Sequence, residues 1–505
     1  MANGWLTDTL ILLPLGGAIF IAISPLPRLA AGLVALAVSL VEIAFWGGAL
    51  SAFDYRAGAG SVQLQDTTTW FGDLGISYHV GFTGFAVWLV GLTAVGMTAA
   101  IAYAVWVGRQ HAQAYFASML LLTAAIVGVF AAQDYLLFYV FWEAMLIPLY
   151  VLVGVWGGPG RLRATLMFFI YTMAGSLLML ASIIVLGVSQ GSFDMIAPTG
   201  YSSSNWIFLG FVAAFVVKAP IFPFHGWLPD AYREAPAEVA GVLSGLVSKA
   251  AAYGFLYVAV LHFPAPAHDF RTPILVLAGI GLIYGSLLAF RAPDIRGVVA
   301  YSSLAQLGLI TFGLFATNLA GFNGAVLQMV NHGLISLAMF MLAGLVELRA
   351  GTGRFDRLGG MAKGRPVLAT VLMTLGIIAL AVPGSSNFAG EFMILTGVFR
   401  SGWGWSVVGA IAIVLAAMYM LRLISAVLHQ SRGSAVSDSA RDLRLPELAF
   451  LAPLVVLLIF LSAWPAAITD HTFGQRSSTP GLARALVQPF VEHRGSTVVF
   501  GLIQR

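Results

Sequence analysis

Runs of about twenty apolar residues, separated by short polar stretches, recur along the whole chain. Each is long enough to cross the roughly 30 Å hydrocarbon core of a bilayer as a helix. The pattern predicts about fourteen spans. The first eight are Trp5–Ile23, Leu29–Leu50, Val80–Val107, Tyr115–Ala131, Tyr135–Val155, Leu166–Val188, Asn205–Pro220 and Val239–Phe263. Then come Thr272–Phe290, Ile295–Phe315, Gly321–Leu348, Val367–Phe399, Trp405–His429 and Leu448–Ile468. Asp54 to Ser77 is polar and too short for a domain, so it reads as a loop. Met1 to Pro25 carries Asp8 and no basic residue before its apolar run, whereas a secretory signal begins positive. It reads as a retained first span, and the fold class as an all-α integral membrane protein.

Two spans are interrupted. The seventh breaks at Pro220 and the twelfth at Val382-Pro-Gly-Ser-Ser-Asn387, five helices later. A proline removes a backbone donor and clashes with the preceding turn. In hydrocarbon the freed groups survive only where protein or a hydrated cavity covers them. Spans four to eight and nine to thirteen therefore read as two five-helix units, the second inverted, each broken in its fourth helix. Inverted repeats with matching interruptions mark transporters, although simple proline kinks can give the same spacing. The chain divides into residues 1–114 (three leading helices), 115–263 (first repeat), 264–429 (second repeat) and 430–505 (last helix and tail).

Composition agrees with a membrane chain. The 505 residues are 59% hydrophobic and only 9% charged, far below the roughly 25% of soluble domains. There is no cysteine, which excludes disulfides and thiolate-held zinc or iron–sulfur centres in this chain. The net charge of +4 is explained by topology rather than by nucleic acid. Fifteen basic residues fall in loops on one side, seven on the other (Arg56, Arg271, Arg400 and four in the tail), and Lys218, Lys249 and Arg422 fall within spans. The richer side is cytoplasmic by the positive-inside rule, which places both termini on the outer face of the cell membrane.

The charges inside the spans carry the chemistry. Lys218, Lys249, Glu143 and Glu391 all fall within apolar runs. Each costs about 2.5–3.5 kcal/mol at the bilayer centre, so four facing lipid would cost roughly 10–14 kcal/mol. They must face the bundle interior. A static ion pair of Glu143 with Lys218 is the structural explanation, but an apolar contact usually serves as well. Lys249 has no acidic residue nearby in its own helix, and a lone buried ammonium is disfavoured, so it reads as a proton carrier. His332 lies within the eleventh span as a hydrogen-bonding residue or a relay, Glu42 falls mid-helix in the second, and Arg422 sits near a span end, where it can snorkel. No Walker loop, dinucleotide fingerprint or zinc-spaced histidine set is present.

The stretch Lys218-Ala-Pro-Ile-Phe-Pro-Phe-His-Gly-Trp-Leu-Pro-Asp-Ala231, the surroundings of Glu143, Ala300-Tyr-Ser-Ser303 and Asn387-Phe-Ala-Gly-Glu-Phe392 resemble the antiporter-like subunits of respiratory complex I. The pattern is nearest to the M chain of the bacterial enzyme, counterpart of mitochondrial subunit four. Mrp-type antiporters and membrane-bound hydrogenases share much of it. The resemblance implies fourteen helices, two inverted repeats and a midplane line of ionisable residues. In that line Glu143 pairs with Lys218, Lys249 is central, His332 connects, and Glu391 is the carboxylate of the second broken helix. His225 and Gln306 are secondary candidates. Two departures stand out: Gln306 occupies a place where the family usually has histidine, and only Arg296 remains of a usual basic pair.

The buried charges and the resemblance together imply a proton-translocating subunit of an NADH:quinone oxidoreductase, partnered by other membrane and peripheral subunits. NADH, FMN, iron–sulfur clusters and quinone would belong to those partners, with no cofactor or metal in this chain. An Mrp-type sodium/proton antiporter subunit, a hydrogenase membrane arm and an inactive helical scaffold are the rival readings.

Overall fold

The computed structural model describes residues 3–55, 57, 61–196, 204–437 and 440–473. The expectations for Arg56 and for the tail arginines Arg476, Arg484, Arg494 and Arg505 lie outside the described residues. Among the described residues, twelve helices are long and apolar enough to cross a membrane, and two shorter apolar helices, Asn205–Lys218 and Pro366–Ala379, join them. The molecule is a multi-pass, helical membrane protein.

One departure from all-α is a two-stranded antiparallel hairpin. Strand Gln63–Phe71 pairs with Ile76–Phe82, Thr68 opposite Tyr78. The loop expected from Asp54 to Ser77 thus holds a strand, and the third helix begins at Gly84 rather than Val80. β-branched and aromatic residues (Thr67, Thr68, Thr69, Trp70) favour this pairing, and Thr7 of the first helix ties it down by donating to the Leu64 carbonyl.

Two helices form the axis. Ala237–Leu261 and Leu319–Ala350 are buried over their whole apolar length, as expected of helices apolar all round. They touch backbone to backbone at Gly245 and Gly333. A Cβ at either would stand 2.7–2.8 Å from the other's carbonyl oxygen, so only glycine permits this approach. The outer helices, such as Arg161–Gln190 and Trp403–His429, expose one face.

The interruptions fall close to their expected places. The seventh span ends at Lys218, two residues before Pro220, and the chain turns through residues 219–227 before the short helix Leu228–Glu234. The Trp227 indole donates to the Val217 carbonyl at 2.9 Å, and the Ile221 amide donates to Val216 at 2.8 Å. The carbonyls that Pro220 would leave bare are thereby satisfied. In the twelfth, Pro366–Ala379 and Ser386–Phe399 flank the break, and Ser385 caps the second piece through the Phe388 amide. A further interruption was not expected. The fifth span divides at Met145 into Tyr135–Ala144 and Leu146–Trp156, because Pro148 cannot donate to the Ala144 carbonyl.

Candidate functional site

Five of the seven candidate residues are buried, and the axial helices bring several together. Lys218, the last residue of its helix, is 2% exposed. Its ammonium donates to the Trp142 carbonyl at 3.0 Å and lies 4.0 Å from the centroid of the Trp142 ring. The expected ion pair is absent: no Glu143 oxygen comes within 4 Å of Lys218. Glu143 is half-buried, one position beyond Trp142. Closing the helix at Ala144 aims the Trp142 carbonyl and ring, rather than the carboxylate, at the ammonium. An aromatic face and a carbonyl together hold a cation without fixing it to an anion.

Lys249 is fully buried and surrounded by neutral groups. It donates to the Ser244 carbonyl at 2.8 Å and the Ser248 hydroxyl at 3.2 Å, and meets His332 Nδ1 at 2.6 Å. Its helix is locally wide, with a π-type turn over Leu243–Val247. Such turns loosen the backbone and are frequent at functional sites. The glycine approach of the two axial helices is what lets Lys249 reach His332.

Beyond His332 lies a small cavity of about 20 Å³ lined by Ser302, Ser303, Gln306, Asn387 and Tyr419 together with His332 itself. That is room for about one water, which needs 10–15 Å³ and polar neighbours. On its far side Gln306 donates to Glu391 Oε1 at 2.9 Å and accepts from Gln328 at 2.8 Å. Gln328 also donates to Asn387 at 3.0 Å. Glu391, 1% exposed, is thus wrapped in amides, and its Oε2 has no partner among the described residues. Gly390 makes the wrapping possible, since a Cβ there would stand 2.5 Å from Gln328 Oε1.

The remaining candidates stand apart. His225 lies in the turn after Pro220, its ring against Phe222 and Tyr284, away from the buried contacts. Glu42 is fully buried in Arg28–Ala52, both oxygens unpartnered among the described residues. Arg422 donates to the Phe290 and Ala292 carbonyls at the end of a neighbouring helix.

Several polar residues escaped the sequence reading. Ser244 links Ser303 and Ser336 at 2.7 and 2.6 Å beneath Lys249. Gln328 and Asn387 join Gln306 in the amides around Glu391, and Asn331 donates to the nearby Ser386 carbonyl. Glu238, fully buried, takes a bidentate pair from Arg109 and a hydrogen bond from Tyr115. Amides and serines carry no charge to betray them in an apolar run. Glu238 did carry one, at the start of its helix.

A family model described as the transmembrane NADH:quinone oxidoreductase/Mrp antiporter family matches residues 132–418, which contain every residue of this buried line. The chain belongs to the NADH:quinone oxidoreductase/Mrp antiporter family. Among relatives, NADH-quinone oxidoreductase subunit M of Rickettsia prowazekii is 34% identical over 81% of this chain and 84% of its own length. NADH-ubiquinone oxidoreductase chain 4 of Arabidopsis thaliana is 32% identical over 92% of this chain and 95% of its own. Within the family the chain is thus an antiporter-like subunit of the M and chain 4 type. Among solved structures, a chain of respiratory complex I from Thermus thermophilus superposes with a TM-score of 0.85 at 26% identity, covering 96% of this chain and 99% of that one. A chain of the Mrp complex from Dietzia superposes with a TM-score of 0.84 at 19% identity and 97% coverage of both, a likeness of fold alone.

Proposed function

We propose that this chain is a proton-translocating membrane subunit of an NADH:quinone oxidoreductase of the complex I type. Glu143, Lys218, Lys249, His332 and Glu391 carry the transfer, with Gln306 orienting Glu391. The observation that carries the reading is the direct Lys249–His332 contact, with a water-sized cavity between it and the Gln306–Glu391 pair. His332 can accept from Lys249 on one ring nitrogen and pass a proton onward from the other. Gln306 cannot change its protonation, so a water in the cavity completes the step toward Glu391.

The energy scale is suitable. Moving one charge against about 150 mV takes about 3.5 kcal/mol, equal to a roughly 300-fold change in proton affinity. Quinone reduction, performed with NADH, FMN and iron–sulfur clusters in partner subunits, supplies that change from one end of the line.

The two short helices and their continuations past each break complete fourteen crossings in this reading. Residues 115–263 and 264–429 form inverted five-helix units, 1–114 and 430–505 flank them, and both termini face outward. The relatives more than 30% identical are named as oxidoreductase subunits, which favours this over an Mrp-type antiporter. Measuring quinone reduction and proton uptake in vesicles holding the assembled complex, with Lys249→Arg beside wild type, tests it. Undiminished pumping by a correctly assembled variant overturns the role given to the line.

A further inference from the structure

Every donor of the Lys249 ammonium has a place. An ammonium carries three N–H groups. Here they meet the Ser244 carbonyl at 2.8 Å, the Ser248 hydroxyl at 3.2 Å and His332 Nδ1 at 2.6 Å. Transfer to His332 uses only the third contact. The other two have no part in it, although Ser244 and Ser248 are buried as deeply as the lysine itself.

The backbone is shaped to offer those two contacts. In an α-helix the Ser248 amide would donate to the Ser244 carbonyl. At the wide turn over Leu243–Val247 it turns to Leu243 and Leu246 instead. The Ser244 carbonyl then receives side chains, the Ser248 hydroxyl at 2.6 Å and the Lys249 ammonium. The Ser244 hydroxyl is tied elsewhere. Ser336 donates to it at 2.6 Å. Ser303, whose single proton goes to the Val299 carbonyl at 2.9 Å, accepts from it at 2.7 Å. Hydroxyl bonds from two neighbouring helices therefore hold the turn in place.

Counting protons gives both serine contacts the same sign. The Ser248 proton is committed to the Ser244 carbonyl, so its oxygen can only accept from Lys249. A carbonyl can only accept as well. Neither can donate to a neutral amine. A neutral Lys249 keeps two N–H groups and one lone pair. The N–H groups fit the two serine contacts, which leaves the lone pair facing His332, where the proton went. In that transfer one N–H bond of Lys249 breaks and one forms on His332 Nδ1. The positive charge passes from ammonium to imidazolium, and no electron leaves either residue.

We propose that Ser248 is a positioning residue which, with the Ser244 carbonyl, forms a cradle that keeps Lys249 aimed at His332 in both its charged and its neutral form. The proposal rests on the proton-carrier reading given above. Lysine has a flexible four-carbon stem, so without the cradle it swings away once neutral, and the return transfer waits for it.

The test uses the assembled complex in vesicles, comparing wild type with Ser248→Ala, Ser248→Cys and Ser248→Thr, each checked for assembly on native gels. Ser248→Ala should lower coupled quinone reduction about fivefold, because small misplacements of a reacting group are costly. It should also raise the solvent isotope effect (the rate in light water over that in heavy water) above the wild-type value, as proton transfer becomes limiting. Ser248→Cys keeps nearly the same volume with a poorer acceptor. It should show the same signature, and it stands in where Ser248→Ala fails to assemble. Ser248→Thr keeps a hydroxyl that reaches the carbonyl four residues back, and should stay within about twofold of wild type. A wild-type rate in Ser248→Ala overturns the proposal. So does a loss without a raised isotope effect, or an equal loss in Ser248→Thr, because volume rather than the hydroxyl would then be at work. Lys249→Arg is measured beside them. Lost pumping there with an undisturbed Ser248→Ala strikes the cradle alone, whereas undiminished pumping in Lys249→Arg removes the carrier reading with it.

Discussion

At the Lys218 break the helix stops against an indole ring and a carbonyl, whereas at the Glu391 break the carboxylate sits among amides. The first shell is sparse: among the described residues the ammonium has one hydrogen-bond partner, Trp142, and one aromatic face. The second is a connected network, running from Gln328 to Gln306 and on to Glu391, with Asn387 bonded to both ends. A cation needs only lone pairs and a π face, which backbone and tryptophan already offer. A buried carboxylate needs donors, and amides provide donors and acceptors in the same side chain. The sparse shell holds Lys218 without a described anion within 4 Å. The full one holds Glu391 in place with groups that cannot titrate.

Between the two breaks lies Lys249, and changing it should have the largest effect. Lys249→Arg keeps the charge but cannot release a proton, since guanidinium remains protonated. Proton pumping and coupled quinone reduction should fall about tenfold or more, equivalent to at least ~1.4 kcal/mol on the limiting step, with normal assembly on native gels.

Next, the sparse shell should tolerate loss of the carboxylate better than loss of the ammonium. Lys218→Ala should lower pumping about fivefold and Glu143→Gln only about twofold, differences of ~1 and ~0.4 kcal/mol. A larger loss with Glu143→Gln would mean that the pair closes during turnover and governs it.

The amide network should reveal itself in stability rather than turnover alone. Gln306→Leu strands a donor of Gln328 and deprives Glu391 of one, so the melting midpoint of the detergent-solubilised complex should drop, corresponding to about 1–3 kcal/mol. Gln306→His, which restores a titratable group, should keep stability near wild type. A Leu variant as stable as wild type would show the network to be incidental.

A smaller loss of stability should follow Trp227→Phe, about 1 kcal/mol for one hydrogen bond to the Val217 carbonyl. Its readout is faster amide exchange at Ile221 and its neighbours, with pumping reduced less than by Lys218→Ala.

The helices were legible because a bilayer demands long apolar runs, and most expected spans match observed helices within a few residues. Two breaks were legible from Pro220 and Pro383, but the one before Pro148 was not, because a proline alone does not decide: Pro14 and Pro453 sit inside unbroken helices. The hairpin was hidden inside a polar stretch, although its run of threonines with Trp70 and the alternation after Ile76 were signals for strands. Lys249, His332 and Glu391 stood out as polar groups in apolar runs. What could not be read was who touches whom. Glu143 and Lys218 suggested a pair by opposite charge, but the closure of the helix at Ala144 turned Trp142 inward instead. Gln306 and Gln328 near Glu391, and Ser303 and Ser336 beneath Lys249, lie on other helices, and their contacts depend on glycine approaches such as Gly245 with Gly333.

The indole bond across the first break has a mechanical reach. Trp227 belongs to the same turn as Phe224, which is 39% exposed on the outside of the bundle, and it grips the carbonyl of Val217, next to the buried lysine. The turn is thus tied to the backbone next to the lysine, with Phe224 at its exposed end. Whatever displaces Phe224 pulls, through a single nitrogen, on the backbone beside that lysine.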